Sequence, residues 1–180
     1  MGKSKSFISL AAILFLCILV YASSLSHPFS NLDDQVQVTE NPDIRELGWA
    51  NIEKIFSSTY VGMYQPLTTL VNAVIYSFSQ LNPFAYHLLA LILHLLNSIL
   101  VFVLLRKFLQ DPAVSLLLTG IFCLHPMQVE SVAWVSASSS LLFGFFYLLA
   151  LWNYLRFREE ENQMKYLFLS LLFFLLSCLS

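Results

Sequence analysis

The sequence predicts an all-α fold: a polytopic membrane helical bundle of about four to five spanning helices, plus short interfacial helices in the first extracytoplasmic loop. Hydrophobic residues make up 58% of the 180 residues and charged residues only 11%, and the mean hydropathy is +0.72. These values are too apolar for a soluble domain of this size, and membrane lipids are therefore predicted partners. The apolar residues are collected in long runs with basic residues at their ends. The net charge of −2 argues against a nucleic-acid partner.

The first apolar run covers residues 7–25 and follows Lys3 and Lys5. The hydrocarbon core of a bilayer is about 30 Å thick, so a spanning helix needs about 20 mostly apolar residues. We therefore predict an N-terminal anchor helix within residues 1–25. A cleaved signal peptide is the alternative, because the run ends in the small residues of "YASS". The length of the apolar run favours the anchor.

Residues 26–65 form the only extended polar region and are predicted to be the first extracytoplasmic loop. Within this loop, "ELGWANIEKIFSS" predicts a short amphipathic helix on the membrane surface, with Trp49 at headgroup level. The next run, residues 66–81, begins at Pro66 and is too short to span. It is predicted to be an in-plane or re-entrant helix.

Residues 66–180 are predicted to form the membrane helix bundle, which we expect to be incomplete at its C-terminus. Residues 83–109 and 140–158 are long enough to span, whereas residues 112–124 are apolar but short. A helix that starts at Lys165 reaches about 24 Å by Ser180, at a rise of about 1.5 Å per residue. That length barely crosses a bilayer, so we expect either a truncated chain or a shortened relative of a longer protein.

The basic residues predict the orientation of the chain. With a cytoplasmic N-terminus, seven of the nine basic side chains lie inside, and only Arg45 and Lys54 lie outside. Asp33 and Asp34 then face the extracytoplasmic side together with His125 and Glu130. The lack of any Asn-X-Ser/Thr sequon favours a bacterial inner membrane over the endoplasmic reticulum.

Polar residues inside the 83–109 helix form one stripe. His87, His94 and Asn97 project to the same side, because an α-helix has 3.6 residues per turn. Polar groups at membrane depth usually face the bundle interior. The stripe predicts either a polar cavity, in which His94 and Asn97 bind a phosphate or sugar, or interhelical hydrogen bonds that fix the packing.

The three cysteines, Cys17, Cys123 and Cys178, lie in apolar runs far apart in the sequence. We expect them to be buried small side chains. No metal site is predicted, because no known metal-ligand spacing occurs.

Four segments occur in an order that is typical of one protein family. They are "DDQVQVTENPDIR", "YQPLTTL", "HLLALILHLLNSILVFVLLR" and "FCLHPMQVESVAWVS". In this order they resemble the N-terminal membrane region of the transmembrane-and-tetratricopeptide-repeat (TMTC-type) proteins and their bacterial relatives. Those proteins belong to the GT-C class of glycosyltransferases, which includes the protein O-mannosyltransferases. The resemblance covers residues 10–175, nearly the whole chain.

The resemblance implies a membrane enzyme that transfers a sugar from a polyprenyl-phosphate donor to a protein hydroxyl on the extracytoplasmic face. The catalytic carboxylate of the first outer loop maps onto Asp33 and Asp34, of which we expect Asp33, nearer the anchor helix, to be the base. His125 matches the family's "HP" position and Glu130 its "ES" position, so both are candidates for substrate binding. No cofactor is implied with certainty, and a requirement for a divalent metal is not predicted in either direction.

Two departures from the family pattern concern charge. The family carries a basic-acidic cluster after "VAWV", where this chain has the uncharged "SASSS" of residues 136–140. The position before "PLT" is commonly Arg or His, and here Gln65 takes that substrate-binding position. The alternative function is therefore a catalytically inactive relative that binds lipid phosphate or a partner subunit.

Overall fold

The computed structural model describes residues 3–160 and 163–180, and the regular structure of these residues is helical apart from one isolated bridge between Tyr60 and Met63. The α-helices in the described ranges are α1 (Lys3–Tyr21), α2 (Trp49–Ser57), α3 (Pro66–Ser79), α4 (Pro83–Phe108), α5 (Pro112–Leu124), α6 (Gln128–Ala133), α7 (Ser138–Glu159) and α8 (Met164–Cys178). Short turns of 3₁₀ or π type cover Ala22–Ser26, Gln35–Thr39 and Pro42–Ile44. The predicted all-α class is confirmed.

The helix starts follow from local sequence chemistry. Proline occupies the first turn of α3, α4 and α5, where its missing N–H costs no hydrogen bond. Asn82 and Asp111 precede two of these prolines, and each side chain accepts a hydrogen bond from the backbone N–H two residues later. The predicted starts at Pro66, Pro83 and Pro112 are therefore correct.

Three helical segments of the described chain are long and apolar enough to cross a membrane: Lys5–Ser26, Pro83–Phe108 and Ser138–Glu159. Helices α5 and α8 are apolar but have only 13 and 15 residues, which is fewer than the about 20 of a full span. The prediction of about four to five spans thus corresponds to three full-length helices and two shorter ones. Their outer surfaces expose large apolar side chains such as Phe15 on α1 and Phe168 on α8, and lipid tails cover such surfaces in a membrane protein.

Helix α4 lies at the centre of the bundle. It packs against α5 and α7, while α1 packs against α5, and α8 packs against α7. His87, His94 and Asn97 are all buried, so the polar stripe of α4 faces the bundle interior as predicted. This places hydrogen-bonding groups where three neighbouring helices meet.

Three basic residues gather at one end of the bundle. Arg106, Lys107 and Arg156 line a cavity of about 790 Å³ together with the start of α1. Lys107 Nζ lies 2.8 Å from a carboxylate oxygen of Glu159. A hydrogen bond from Tyr166 and the neighbouring guanidinium of Arg156 hold the pKa of Glu160 below its ordinary value. The loop of residues 26–65 and helix α6 lie at the opposite end.

Helix α2 is the amphipathic helix that the loop sequence predicts. Its inner side buries Ile55, while Trp49 is 81% exposed and Phe56 is also exposed. Lys54 Nζ lies 2.6 Å from Asp43 Oδ1, which ties the helix to the turn at Pro42–Ile44. The exposed indole is free of contacts within the protein that would bury it, and its place at headgroup level stays a prediction.

We expect brominated lipids with shallow bromine positions to quench Trp49 fluorescence in vesicles, because interfacial indoles sit at headgroup depth. The variant Trp49→Phe should lose this quenched component. The control Trp134→Phe should keep it, since the Trp134 indole is half-buried and donates a hydrogen bond to Ser30. Unchanged shallow quenching in Trp49→Phe would exclude the membrane contact.

Candidate functional site

The carboxylate of Asp34 is the most constrained acidic group at the loop end of the bundle. Its side chain is only 1% exposed. Oδ1 accepts hydrogen bonds from the backbone N–H of Ser136 at 2.8 Å and from the Ser136 hydroxyl at 2.5 Å. Oδ2 accepts one from the backbone N–H of Ser30 at 2.9 Å. These bonds tie the 26–65 loop to the segment that leads into α7.

A second bond runs parallel to this connection. The Trp134 indole N–H donates to the Ser30 hydroxyl at 3.0 Å. Residues 30–34 and 134–136 are therefore joined at two places, although about a hundred residues separate them in the sequence. Together these hydrogen bonds fix the position of the Asp34 carboxylate relative to the membrane helices.

A cavity of about 380 Å³ adjoins the Asp34 carboxylate. Its walls combine apolar rings with a few polar groups, and its lining residues are His27, Pro28, Phe29, Ser30, Leu32, Asp34, Ala133 and Trp134. Small-molecule sites typically have this composition. The volume suits one sugar-sized group beside a carboxylate.

One histidine lines this cavity, and a second packs against the first. His27 lies in its wall, and the rings of His27 and His87 meet edge to face with centroids 6.5 Å apart. His87 is buried, and neither of its ring nitrogens has a hydrogen-bond partner among the described residues. A buried imidazole without a partner costs stability. His87 lies behind His27 and does not itself line the cavity.

The two adjacent aspartates differ sharply. Asp33 is exposed, whereas Asp34 is buried at the cavity wall. His125 and Glu130 are also exposed. His125 Nδ1 accepts a hydrogen bond from the Met127 backbone N–H at 3.2 Å, which closes the turn between α5 and α6. Neither His125 nor Glu130 lines the Asp34 cavity.

The remaining predicted substrate-binding residues lie apart from the cavity. Gln65 lines a different, small cleft together with Asn41 and Asn72. His94 Nε2 lies 2.9 Å from the Cys123 carbonyl oxygen, and the Asn97 amide donates to the Leu141 carbonyl at 2.9 Å. These two contacts are interhelical hydrogen bonds, the second of the two alternatives that the polar stripe left open.

The sequence did not single out His27, Ser30, Trp134 or the hydroxyl of Ser136 as members of one site. Ser136 was visible only as the first uncharged residue where a charged cluster was expected. The prediction that all three cysteines are buried is correct for Cys17 and Cys123 and wrong for Cys178, which is exposed. Cys178 is the last residue of α8, where no neighbouring helix among the described residues covers it.

Sequence comparisons confirm the predicted resemblance to the TMTC-type proteins. The chain is 32% identical over 114 residues to "Protein O-mannosyl-transferase TMTC3" of Homo sapiens, covering 63% of this chain and 12% of that protein. It is 32% identical over 174 residues to TMTC4 of Mus musculus, covering 83% of this chain and 23% of that protein. It is 27% identical over 172 residues to F38B6.6 of Caenorhabditis elegans, covering 88% and 24%, and that protein also carries the name protein O-mannosyl-transferase.

The chain therefore spans between about an eighth and a quarter of the length of these curated relatives. The three relatives are animal proteins, so they give no support to the predicted bacterial inner membrane. No protein-family model matches the chain. No solved structure matches it either.

Proposed function

We propose that the chain forms part of a membrane glycosyltransferase that transfers a sugar from a polyprenyl-phosphate donor to a protein hydroxyl on the extracytoplasmic face. The observation that carries this proposal is the buried Asp34 carboxylate beside a sugar-sized cavity. It lies at the end of the bundle opposite Arg106, Lys107 and Arg156, in agreement with the positive-inside rule. The relatives' name, protein O-mannosyl-transferase, supports mannose as the sugar and a protein as the acceptor.

Asp34 is the proposed general base. A Ser or Thr hydroxyl is a weak nucleophile until a group within hydrogen-bond reach takes its proton. An ionised carboxylate offers about four lone-pair sites, and protein donors fill three of those on Asp34. One site remains for the acceptor hydroxyl. Asp33 is exposed, and this supports Asp34 over the expected Asp33 as the base.

The leaving lipid phosphate needs hydrogen-bond donors, because negative charge develops on its bridging oxygen. Basic residues on this side are engaged elsewhere: Lys54 pairs with Asp43, and the Arg45 guanidinium stacks on the Tyr76 ring. The imidazoles of His27 and His87 are the donors that remain near the cavity among the described residues. We assign them the role of holding the phosphate.

A non-catalytic protein that binds lipid phosphate is the second candidate function. The observation in its favour is that Ser136 supplies two of the three hydrogen bonds to Asp34, at a position where the family carries charge. In this case Asp34 would hold the outer loop in place, and the two histidines would bind the phosphate. The two candidates share the cavity and differ only in the transfer step.

The distinguishing experiment uses the chain reconstituted in liposomes with a radiolabelled polyprenyl-phosphate mannose and a Ser/Thr-rich acceptor peptide added to either side. We expect label on the peptide only when it is added to the side that exposes the 26–65 loop, as determined by protease cleavage of that loop. If the liposomes retain the donor lipid but the peptide stays unlabelled, the result favours the second candidate. If the donor is not retained and the peptide is not labelled, both candidate functions are overturned.

A further inference from the structure

Two cysteines and a histidine from three helices meet inside the bundle. Cys17 on α1, His94 on α4 and Cys123 on α5 are each 0% exposed. The two sulfur atoms and one imidazole nitrogen of the group all lie within 4.8 Å of one another. None of the three residues lines the Asp34 cavity, so this cluster is separate from the proposed catalytic site.

The hydrogen bonding of His94 leaves one of its ring nitrogens with an unused lone pair. Nε2 lies 2.9 Å from the Cys123 carbonyl oxygen. A carbonyl can only accept, so Nε2 carries the hydrogen and Nδ1 carries the lone pair. Nδ1 is buried without a hydrogen-bond partner among the described residues. Metal-binding histidines are typically oriented in this way, with the second ring nitrogen donating to a backbone carbonyl.

Neighbouring rings keep the imidazole in position. Tyr21 meets it edge to face with centroids 5.6 Å apart, and Phe122 lies against it at 5.7 Å. A ligand ring that is already ordered loses little freedom when a metal binds. The cluster thus brings two thiols and one imidazole together, and one ring nitrogen of that imidazole carries an unused lone pair.

We propose that Cys17, His94 and Cys123 bind a zinc ion that joins helices α1, α4 and α5. Sulfur and imidazole nitrogen are ligands that zinc prefers, whereas calcium and magnesium need oxygen ligands. Binding releases the two thiol protons, and the two thiolates then balance the two charges of the ion. This neutrality matters inside a bilayer, where an isolated charge is costly, and it disfavours Cu⁺, which would leave one net negative charge.

The test uses the full chain purified in detergent, refolded with zinc and then passed through a desalting column. We expect about one zinc ion per chain by elemental analysis. Cobalt in place of zinc should give visible d–d bands and the charge-transfer absorption of cobalt bound to two thiolates. Cys17→Ser and Cys123→Ser should lose both signals, while the control Cys178→Ser, at an exposed cysteine outside the cluster, should keep them.

His94→Gln keeps both thiols and covers the case in which a serine variant does not fold. It should weaken zinc binding by at least about tenfold in a competition with a chelator. Equal zinc content in all variants would overturn the proposal, as would a wild-type chain with no metal. A reducible disulfide between Cys17 and Cys123, or copper instead of zinc, would also overturn it. Sugar transfer is not a readout here, so failure of this site and failure of the transferase proposal remain distinguishable.

Discussion

The variant Asp34→Asn is expected to lower the rate of sugar transfer by about two to four orders of magnitude, the usual contribution of a general base. An amide oxygen can still accept the two hydrogen bonds from Ser136, but an amide has no basic lone pair to take the acceptor proton. Asp33→Asn should change the rate by less than about threefold, because Asp33 is exposed and holds no group at the cavity. Asp33→Asn therefore serves as a matched control for Asp34→Asn, because the two residues are adjacent and the chemical change is the same.

Initial rates of label transfer in liposomes measure this difference. The amide of Asp34→Asn places an NH₂ group against the Ser30 N–H and loses that hydrogen bond, which could also lower stability. The thermal unfolding midpoint is therefore measured for both variants. The rates are compared only if both midpoints lie within a few degrees of the wild type. Equal loss in both variants, or full activity in Asp34→Asn, would contradict the role of Asp34. A rate loss in Asp33→Asn alone would assign the base to the exposed carboxylate instead.

The helices of this chain could be predicted because their signals are local. Apolar length is set by the bilayer, and Pro66, Pro83 and Pro112 mark helix starts by stereochemistry alone. Helix α6 was not predicted, because it has only six residues of mixed polarity. A helix this short depends on contacts with neighbouring elements, which the local sequence does not show. Helix length and helix starts can therefore be predicted from local sequence where the bilayer, and not a neighbouring helix, determines them.

The site could be predicted only in part, because its contacts are not local. Nothing near Asp34 in the sequence says that Ser136 will donate to it from 102 residues away. The family motif identified the pair of aspartates but did not distinguish between them, since burial is a property of the packed bundle. The same holds for Cys17 and Cys123, which are 106 residues apart in the sequence and in contact in the fold.

The prediction with the largest expected effect on stability concerns Tyr86, near the start of α4. Its side chain is only 2% exposed, and its ring meets Phe29 edge to face with centroids 5.3 Å apart. Its hydroxyl donates to the Gln80 carbonyl at 3.1 Å. It belongs to the apolar cluster that joins the outer loop, α3 and the segment before α7, through Val38, Ile44, Ala73 and Val135.

We expect Tyr86→Ala to lower the free energy of unfolding by about 3–5 kcal/mol, the usual cost of removing a buried aromatic ring. Tyr86→Phe should cost only about 1 kcal/mol, because it removes the hydroxyl bond and keeps the ring. The control Tyr147→Ala should cost less than about 1 kcal/mol, since the Tyr147 side chain is 46% exposed on the surface of α7. Denaturing-detergent titration of the three variants measures these differences.

The functional consequence follows from the chain order. Phe29 packs on Tyr86 and is followed directly by Ser30, which donates to Asp34. Tyr86→Ala should therefore expose the 26–65 loop to protease and reduce sugar transfer together, whereas Asp34→Asn should reduce transfer with the loop still protected. Normal transfer in a Tyr86→Ala protein with a freely cleaved loop would show that the carboxylate does not need the packed loop. The packing of Phe29 on Tyr86 would then have no part in positioning Asp34.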